Sequence, residues 1–201
     1  YPEKLPAYFY NKEKAEKLLE ESGWIKKEDG YRYDENGNRF TIKWSTYGDT
    51  RYAEALKKLV VENWKEIGIE VIVEELSFDQ LMIKVYDERD FEMYNMSWAL
   101  TQDPDPSTIF SSKEDYPGGY NTVGWRNMES DELINLALKE TDMEKKEIIY
   151  GAWAKLANED LPYIYVCQNK ELLGVNLRVK GVAVSPYKEW TQDAYKLTLS
   201  N

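Results

Sequence analysis

The order of patterns between residues 39 and 98 limits most strongly what this chain can fold into: strand, helix, strand, helix, strand. Residues 39–46 form a β-rich run. From Thr50 to Ile67 the apolar positions Ala53, Leu56, Val60, Trp64 and Ile67 recur at helical spacing, and Gly68 ends the run before the strand IEVIVEEL. Ser77 then stands as an N-cap to SFDQLMIKVYDER, with Leu81 and Val85 four apart. The next apolar run spans Phe91 to Trp98. Strands separated by helices of this length return to one sheet in parallel, through right-handed crossovers. The expected class is therefore α/β, a sheet flanked by helices.

The flanks read less regularly. Asn11 ahead of KEKAEKLLEESG offers a cap, a leucine stripe and a glycine stop at Gly23, which predicts a helix of about three turns. GYRYDENGNRFTIKWS carries β-rich runs around Asn36-Gly37, the pair that supplies the positive backbone angles of a tight hairpin, so strands are expected near 31–34 and 39–46. Caps and stripes predict two further helices, near 130–140 and 142–159. Beyond Pro162, PYIYVCQ and KELLGVN read as short strands joined by a turn at Asn169-Lys170, and the last thirty residues look irregular. No internal repeat or low-complexity tract interrupts 1–201, which reads as a single domain.

Charge removes several function classes. With 37 acidic against 26 basic residues, the net charge of −11 is the opposite of the basic footprint that binds nucleic acid by displacing counterions. It equally disfavours an anionic membrane surface. The chain has no His and one Cys, so a histidine base, a thiolate cluster and an internal disulfide are all out of reach. No metal or cofactor is expected. Cys167, inside the apolar PYIYVCQN, reads as a small buried hydrophobe. No run approaches the roughly 20 apolar residues of a membrane span, and no signal peptide is visible. The first residue is Tyr1 rather than Met, which points to a trimmed mature protein or an excised piece of a longer one.

Candidate site residues cluster where strands give way to polar loops, the place where open α/β sheets build ligand crevices. FEMYNMSWALTQDPDP passes from a β-prone run through Trp98 into a loop carrying Thr101, Gln102, Asp103 and Asp105. Asp103 and Asp105 straddle Pro104, compatible with a glycosidase pair, a calcium site or recognition of an amine; spacing selects none of these, and loop solvation or helix capping is the ordinary alternative. Trp98 and Trp125 offer faces for a sugar ring or an apolar ligand group, or else pack the core. Thr46 and Tyr47, in SerThrTyrGlyAsp at 45–49, follow a strand and precede a helix, where hydroxyls and helix N-terminal amides meet polar groups. In KEDYPGGYNTVGWRN, Asn121 is the best hydrogen-bonding candidate.

Taken in order, YNKEKAEKLLEESGW, AEALKKLVVENWKEIGIEVIVEEL, FEMYNMSWALTQDPDPSTIFSS, YNTVGWRNMESDELINLAL, LANEDLPYIYV and RVKGVAVSP resemble the carboxyl-terminal part of family 5 extracellular solute-binding proteins. These are the dipeptide, oligopeptide and nickel-type receptors of bacterial ABC importers. The resemblance covers almost the whole chain. It implies one partial lobe of a type II periplasmic-binding-protein-like fold, a mixed sheet flanked by helices, with the large amino-terminal lobe missing. It implies capture of a small solute, a peptide or an oligosaccharide, handed to an ABC permease at the extracellular face of the membrane or in the periplasm, without catalysis. In relatives the loop after the Trp matching Trp98 faces the interlobe cleft, and peptide binders often carry an Asp three residues on. Here that position is Thr101, whose neutral hydroxyl gives no charge-assisted bond to an ammonium group. Nickel is disfavoured by the lack of His. A carbohydrate-active enzyme is the competing class that the carboxylates and aromatics suggest.

Overall fold

The computed structural model describes residues 5–48, 51–98, 104–168, 172–185 and 189–200. The chain separates into two compact units, one made of Tyr1–Ala99 with Asp105–Pro162, the other of Leu100–Pro104 with Tyr163–Asn201.

The first unit begins with α1 (Lys12–Glu21), started by the Asn11 side chain, which accepts the Lys14 amide at 2.8 Å. Gly23, at φ 87°, ends it. A two-stranded antiparallel ladder follows, β1 (Ile25–Lys26) with β2 (Arg32–Tyr33). The Asn36-Gly37 turn forms as expected, with Gly37 at φ 83° and the Asp34 carboxylate accepting the amides of Asn36 and Asn38. The expected hairpin, however, reduces to a single bridge between Tyr33 and Arg39, while β2 finds its ladder partner in β1.

The sheet itself is β3 (Thr41–Tyr47), β4 (Glu70–Leu76) and β5 (Met93–Tyr94), in the order β4-β3-β5 and parallel throughout. Helix α2 (Arg51–Glu66) crosses from β3 to β4. Gly68 (φ 89°) turns the chain after it; a Cβ there would stand 2.9 Å from the Arg32 Cγ, so both backbone angle and space call for glycine. Arg32 is fully buried and donates from Nε to the Ile67 carbonyl and from Nη1 to the Trp24 carbonyl, each at 2.7 Å. A cation thus sits just beyond the carboxyl ends of α1 and α2, where helix dipoles favour it.

From β4 the chain enters α3 (Phe78–Met82) through a reciprocal cap: Ser77 Oγ accepts the Gln80 amide and Gln80 Oε1 accepts the Ser77 amide. The helix widens into a π-helical turn at Ile83–Glu88 and stops at Arg89, a non-glycine residue in the left-handed region (φ 56°). Leu81 and Val85, both fully buried, form the core with Tyr86, and Tyr47, Leu76, Met82, Phe91, Tyr94, Met96 and Trp98 pack against them. Beyond the sheet, α4 (Ser107–Phe110) leads to a pair of longer helices packed on each other, α5 (Met128–Lys139) and α6 (Met143–Asp160), capped by Asn127 and Asp142. Among their residues Ile134, Ala137 and Ala157 are buried. None of the described helices is long and apolar enough to cross a membrane.

Two strand expectations are corrected. The run Phe91–Trp98 yields only Met93–Tyr94; on its amino-terminal side the Lys43 amide donates to the Glu92 carboxylate at 2.5 Å, and on its carboxyl side the Asn95 carboxamide oxygen accepts the Trp44 indole N–H at 3.0 Å. In the second unit, the described parts of PYIYVCQ and KELLGVN carry no strand, and the turn expected at Asn169-Lys170 lies outside the described residues. Ile164 (72%), Tyr165 (61%) and Leu172 (91%) are largely exposed, and among the described residues these β-prone side chains have no partner strand. Cys167 shares that setting and is exposed, not buried. Among the described residues this unit carries β6 (Val179–Lys180), paired antiparallel with β7 (Thr198–Leu199), and a 3₁₀ turn at Trp190–Lys196.

Candidate functional site

Because β3, β4 and β5 run parallel, their carboxyl ends lie along one edge. The chain leaves β3 toward β4 on one side and reaches β5 on the other, so the strand order reverses direction at β3, the kind of position where open α/β sheets place ligand crevices. Tyr47 closes β3, Phe78 follows β4 by two residues, and Trp98 follows β5 by four. Each is aromatic and each rests on the Leu81–Val85–Tyr86 core or on a neighbour that does.

Two edge-to-face pairs result. Tyr47 meets Phe78 with ring centroids 5.1 Å apart, and Phe78 is half exposed. Trp98 meets Tyr120 at 5.9 Å, and Tyr120 in turn meets Tyr86 at 5.6 Å. Burial pushes the Tyr86 phenol up to about 12, so it stays neutral and contributes a hydroxyl that reaches the Met96 sulfur at 3.9 Å. The outer rings of both pairs keep faces open to solvent while their inner partners anchor them. This is the geometry of a contact wall: wide apolar area with little side-chain entropy left to lose.

The remaining sequence candidates divide by what already holds them. Thr46 is buried within β3, next to Ser45, whose hydroxyl donates to Glu74 at 2.7 Å. Asn121 is completely buried; its amide donates to the carbonyls of Ser111 (3.1 Å) and Trp125 (2.8 Å) and accepts the Trp125 amide (3.2 Å). Trp125 donates its indole N–H to Asp160 at 3.0 Å and stands edge-on to Phe110. Asp105 accepts the amide and hydroxyl of Ser107 at 2.8 and 2.9 Å, starting α4. Thr101, Gln102 and Asp103 lie outside the described residues, as does Asp49. Among the described residues no group of three or more His, Cys, Asp or Glu converges as a metal site would need.

Two residues of the wall, and one that holds its loop, escape a reading of the sequence. Phe78 hides as an ordinary first-turn helix residue. Tyr120 stands one place before Asn121, in the same glycine-rich loop, and only the fold brings that loop beside Trp98. Arg89 occupies the left-handed position after the π-turn where a glycine would be the usual stop, and the missing glycine is the signal.

Electrostatics behind the wall are tied to the sheet. Glu74 of β4 receives Lys43 at 2.8 Å, the Ser45 hydroxyl at 2.7 Å and Lys84 of the π-turn at 3.2 Å. These donors, Lys43 foremost, hold its carboxyl down to about 2 against the opposing effect of burial.

A family model described as bacterial extracellular solute-binding proteins, family 5 Middle, matches residues 1–120. The oligopeptide-binding protein AppA of Bacillus subtilis is 27% identical over 192 residues, covering 94% of this chain and 35% of its own length. Its structure in complex with a nonapeptide aligns over 100% of this chain and 40% of that one, with a TM-score of 0.77 at 25% identity. An oligopeptide-binding protein from Thermus thermophilus, complexed with a pentapeptide, aligns over 81% of this chain and 30% of that one, with a TM-score of 0.71 at 26% identity. The chain therefore spans well under half the length of these relatives.

Proposed function

Because the chain belongs to the bacterial extracellular solute-binding proteins of family 5, we propose that it forms part of one lobe of a two-lobed receptor that captures a peptide for an ABC importer, making and breaking no bond. The observation that carries this reading is the row of aromatic side chains, Tyr47, Phe78, Trp98 and Tyr120, along the carboxyl edge of the parallel sheet. Such an edge supplies one face of a cleft. A second lobe supplies the other, and hinge closure shuts the solute away from water. The relatives named for oligopeptide binding favour a peptide as the solute. The protein works at the extracellular face of the membrane or in the periplasm, and its partner is the membrane permease that accepts the closed form.

Thr101, Gln102 and Asp103, with Asp105, Thr46, Asn121 and Trp125, belong to this proposal as the loop and strand-end groups nearest the wall in sequence. Aromatic faces also stack on sugar rings, which favours an oligosaccharide as the second solute class. A glycoside-cleaving enzyme is less well supported, since Asp105 directs both carboxylate oxygens to Ser107.

The deciding experiment is native mass spectrometry of the full receptor purified without added ligand. Peptide masses retained and then released by mild denaturation are expected; retained sugar masses would move the reading to oligosaccharides, and turnover of a chromogenic glycoside would overturn it. The 201-residue chain alone is expected to bind only weakly in calorimetry, because enclosure by a single wall leaves most of a ligand's surface wet.

A further inference from the structure

One side chain at the end of the π-turn gathers three carbonyls of the loop that carries Tyr120. Arg89 donates from Nη1 to the carbonyl of Asn121 at 2.9 Å and from Nη2 to the carbonyls of Tyr116 at 2.5 Å and Gly119 at 3.2 Å. Its Nη1 also lies 4.0 Å from Asp115, a carboxylate that takes Arg126 Nε at 2.6 Å. One further bond ties the same loop to the π-turn, from the Gly118 amide to the Tyr86 carbonyl at 2.6 Å. Three carbonyl dipoles converging on one point repel each other, and a planar guanidinium among them offsets that repulsion with several N–H donors fixed in one fork. The residue that does this sits at φ 56° and ψ 30°, a conformation unfavourable for any side chain and comfortable for glycine. An arginine kept at such a position calls for a use that its side chain alone can supply.

From this geometry we infer that Arg89 is a positioning residue for the solute-facing wall: it fixes the 116–121 loop so that the Tyr120 ring stands edge-on to Trp98. The inference rests on the receptor reading above. Arg89 touches no solute itself. It acts through Tyr120, whose ring is 44% exposed and bridges Trp98 to the buried Tyr86. Without the fork, the loop keeps its Gly118 bond and its Asn121 clip, but the carbonyls at 116, 119 and 121 lose their common donor. Tyr120 then samples orientations that no longer complete the wall.

Arg89→Gly is the informative substitution, because it relieves the backbone conformation while deleting the fork, so loss of function cannot be traced to added backbone strain. In the 201-residue chain, hydrogen exchange at amides 118–121 is expected to rise at least tenfold in Arg89→Gly, with Arg89→Lys intermediate and the amides of β3 and β4 unchanged. Exchange at 118–121 that stays at the wild-type rate overturns the inference. In the full receptor, titration with a synthetic nonapeptide library is expected to show about a tenfold rise in Kd for Arg89→Gly and partial rescue by Arg89→Lys. In a Tyr120→Ala background the same Arg89→Gly change is expected to weaken binding no further. A purely structural role would lower Tm without producing that coupling. Wild-type binding with an Arg89→Gly Kd within twofold, or an undiminished Arg89→Gly effect in the Tyr120→Ala background, overturns the positioning role alone. A wild-type receptor that retains no peptide overturns the receptor reading and this inference with it.

Discussion

Replacing Asn121 with alanine should unfold the protein more easily by about 3 kcal/mol, because it leaves two carbonyls and one amide without partners and each such loss costs on the order of 1 kcal/mol net. The three groups are the Ser111 and Trp125 carbonyls and the Trp125 amide, all served by one fully buried carboxamide. Water cannot replace them without opening the loop. Asn121→Asp sharpens the test, since it keeps the shape and the acceptor for the Trp125 amide but aims one carboxylate oxygen at two carbonyls. Burial and those dipoles raise the introduced carboxyl's folded pKa above its unfolded value of about 3.9. A group raised in this way favours the folded state at low pH. The Asn121→Asp variant should therefore be nearest wild type below about pH 3.9 and lose roughly 1.4 kcal/mol per pH unit as pH climbs toward the folded pKa. Urea unfolding followed by tryptophan fluorescence, repeated from about pH 3 to about pH 8, measures both effects from the shift in midpoint at constant slope. An Asn121→Ala variant within about 0.5 kcal/mol of wild type, or an Asn121→Asp variant whose deficit does not grow with pH, would refute the reasoning.

Leu81→Ala should cost about 3 kcal/mol in the same assay, since the side chain is fully buried at the centre of the core under the wall. Ser77→Ala should cost about 1 kcal/mol by removing one half of the reciprocal cap of α3, and Ser77→Thr should restore most of it. Glu74, held down to about 2 by Lys43, Ser45 and Lys84, contributes stability that is fully present above its usual value of 4.5 and is lost as pH falls through about 2. Glu74→Gln should therefore flatten the acid limb of the stability profile, and an unchanged limb would count against the pairing.

Much of the sheet unit is readable from spacing alone. Helix α2, strand β4 and the capped start of α3 follow from periodic apolar positions bounded by Gly68 and Ser77, signals that depend only on neighbours in the chain. Strand length at β5 is not readable that way: β-propensity runs on to Trp98, while the ladder with β3 holds only Met93 and Tyr94, a pairing set by the partner strand and not by neighbours in the chain. The residues 163–176 mislead for a related reason, since their β-prone side chains need a partner strand that the described residues do not supply. Trp98 and Tyr47 are visible in the sequence because each stands before a polar loop, although β5 itself stops at Tyr94. Tyr120 and Arg89 are not, because their roles depend on a loop and a helix end that lie about 30 residues apart in sequence and meet only in the fold.

The short β5 has one more effect. Only Met93 and Tyr94 are locked in register with β3, so Ser97 and the indole after it are free of backbone pairing to that strand, secured mainly by how their rings and chains nestle on what lies beneath. Swapping an exposed residue such as Ser97 alters the rim's outline without dragging a hydrogen-bonded ladder along with it. Outline and backbone pairing are thereby uncoupled at this spot, so the one can be changed while the other is spared.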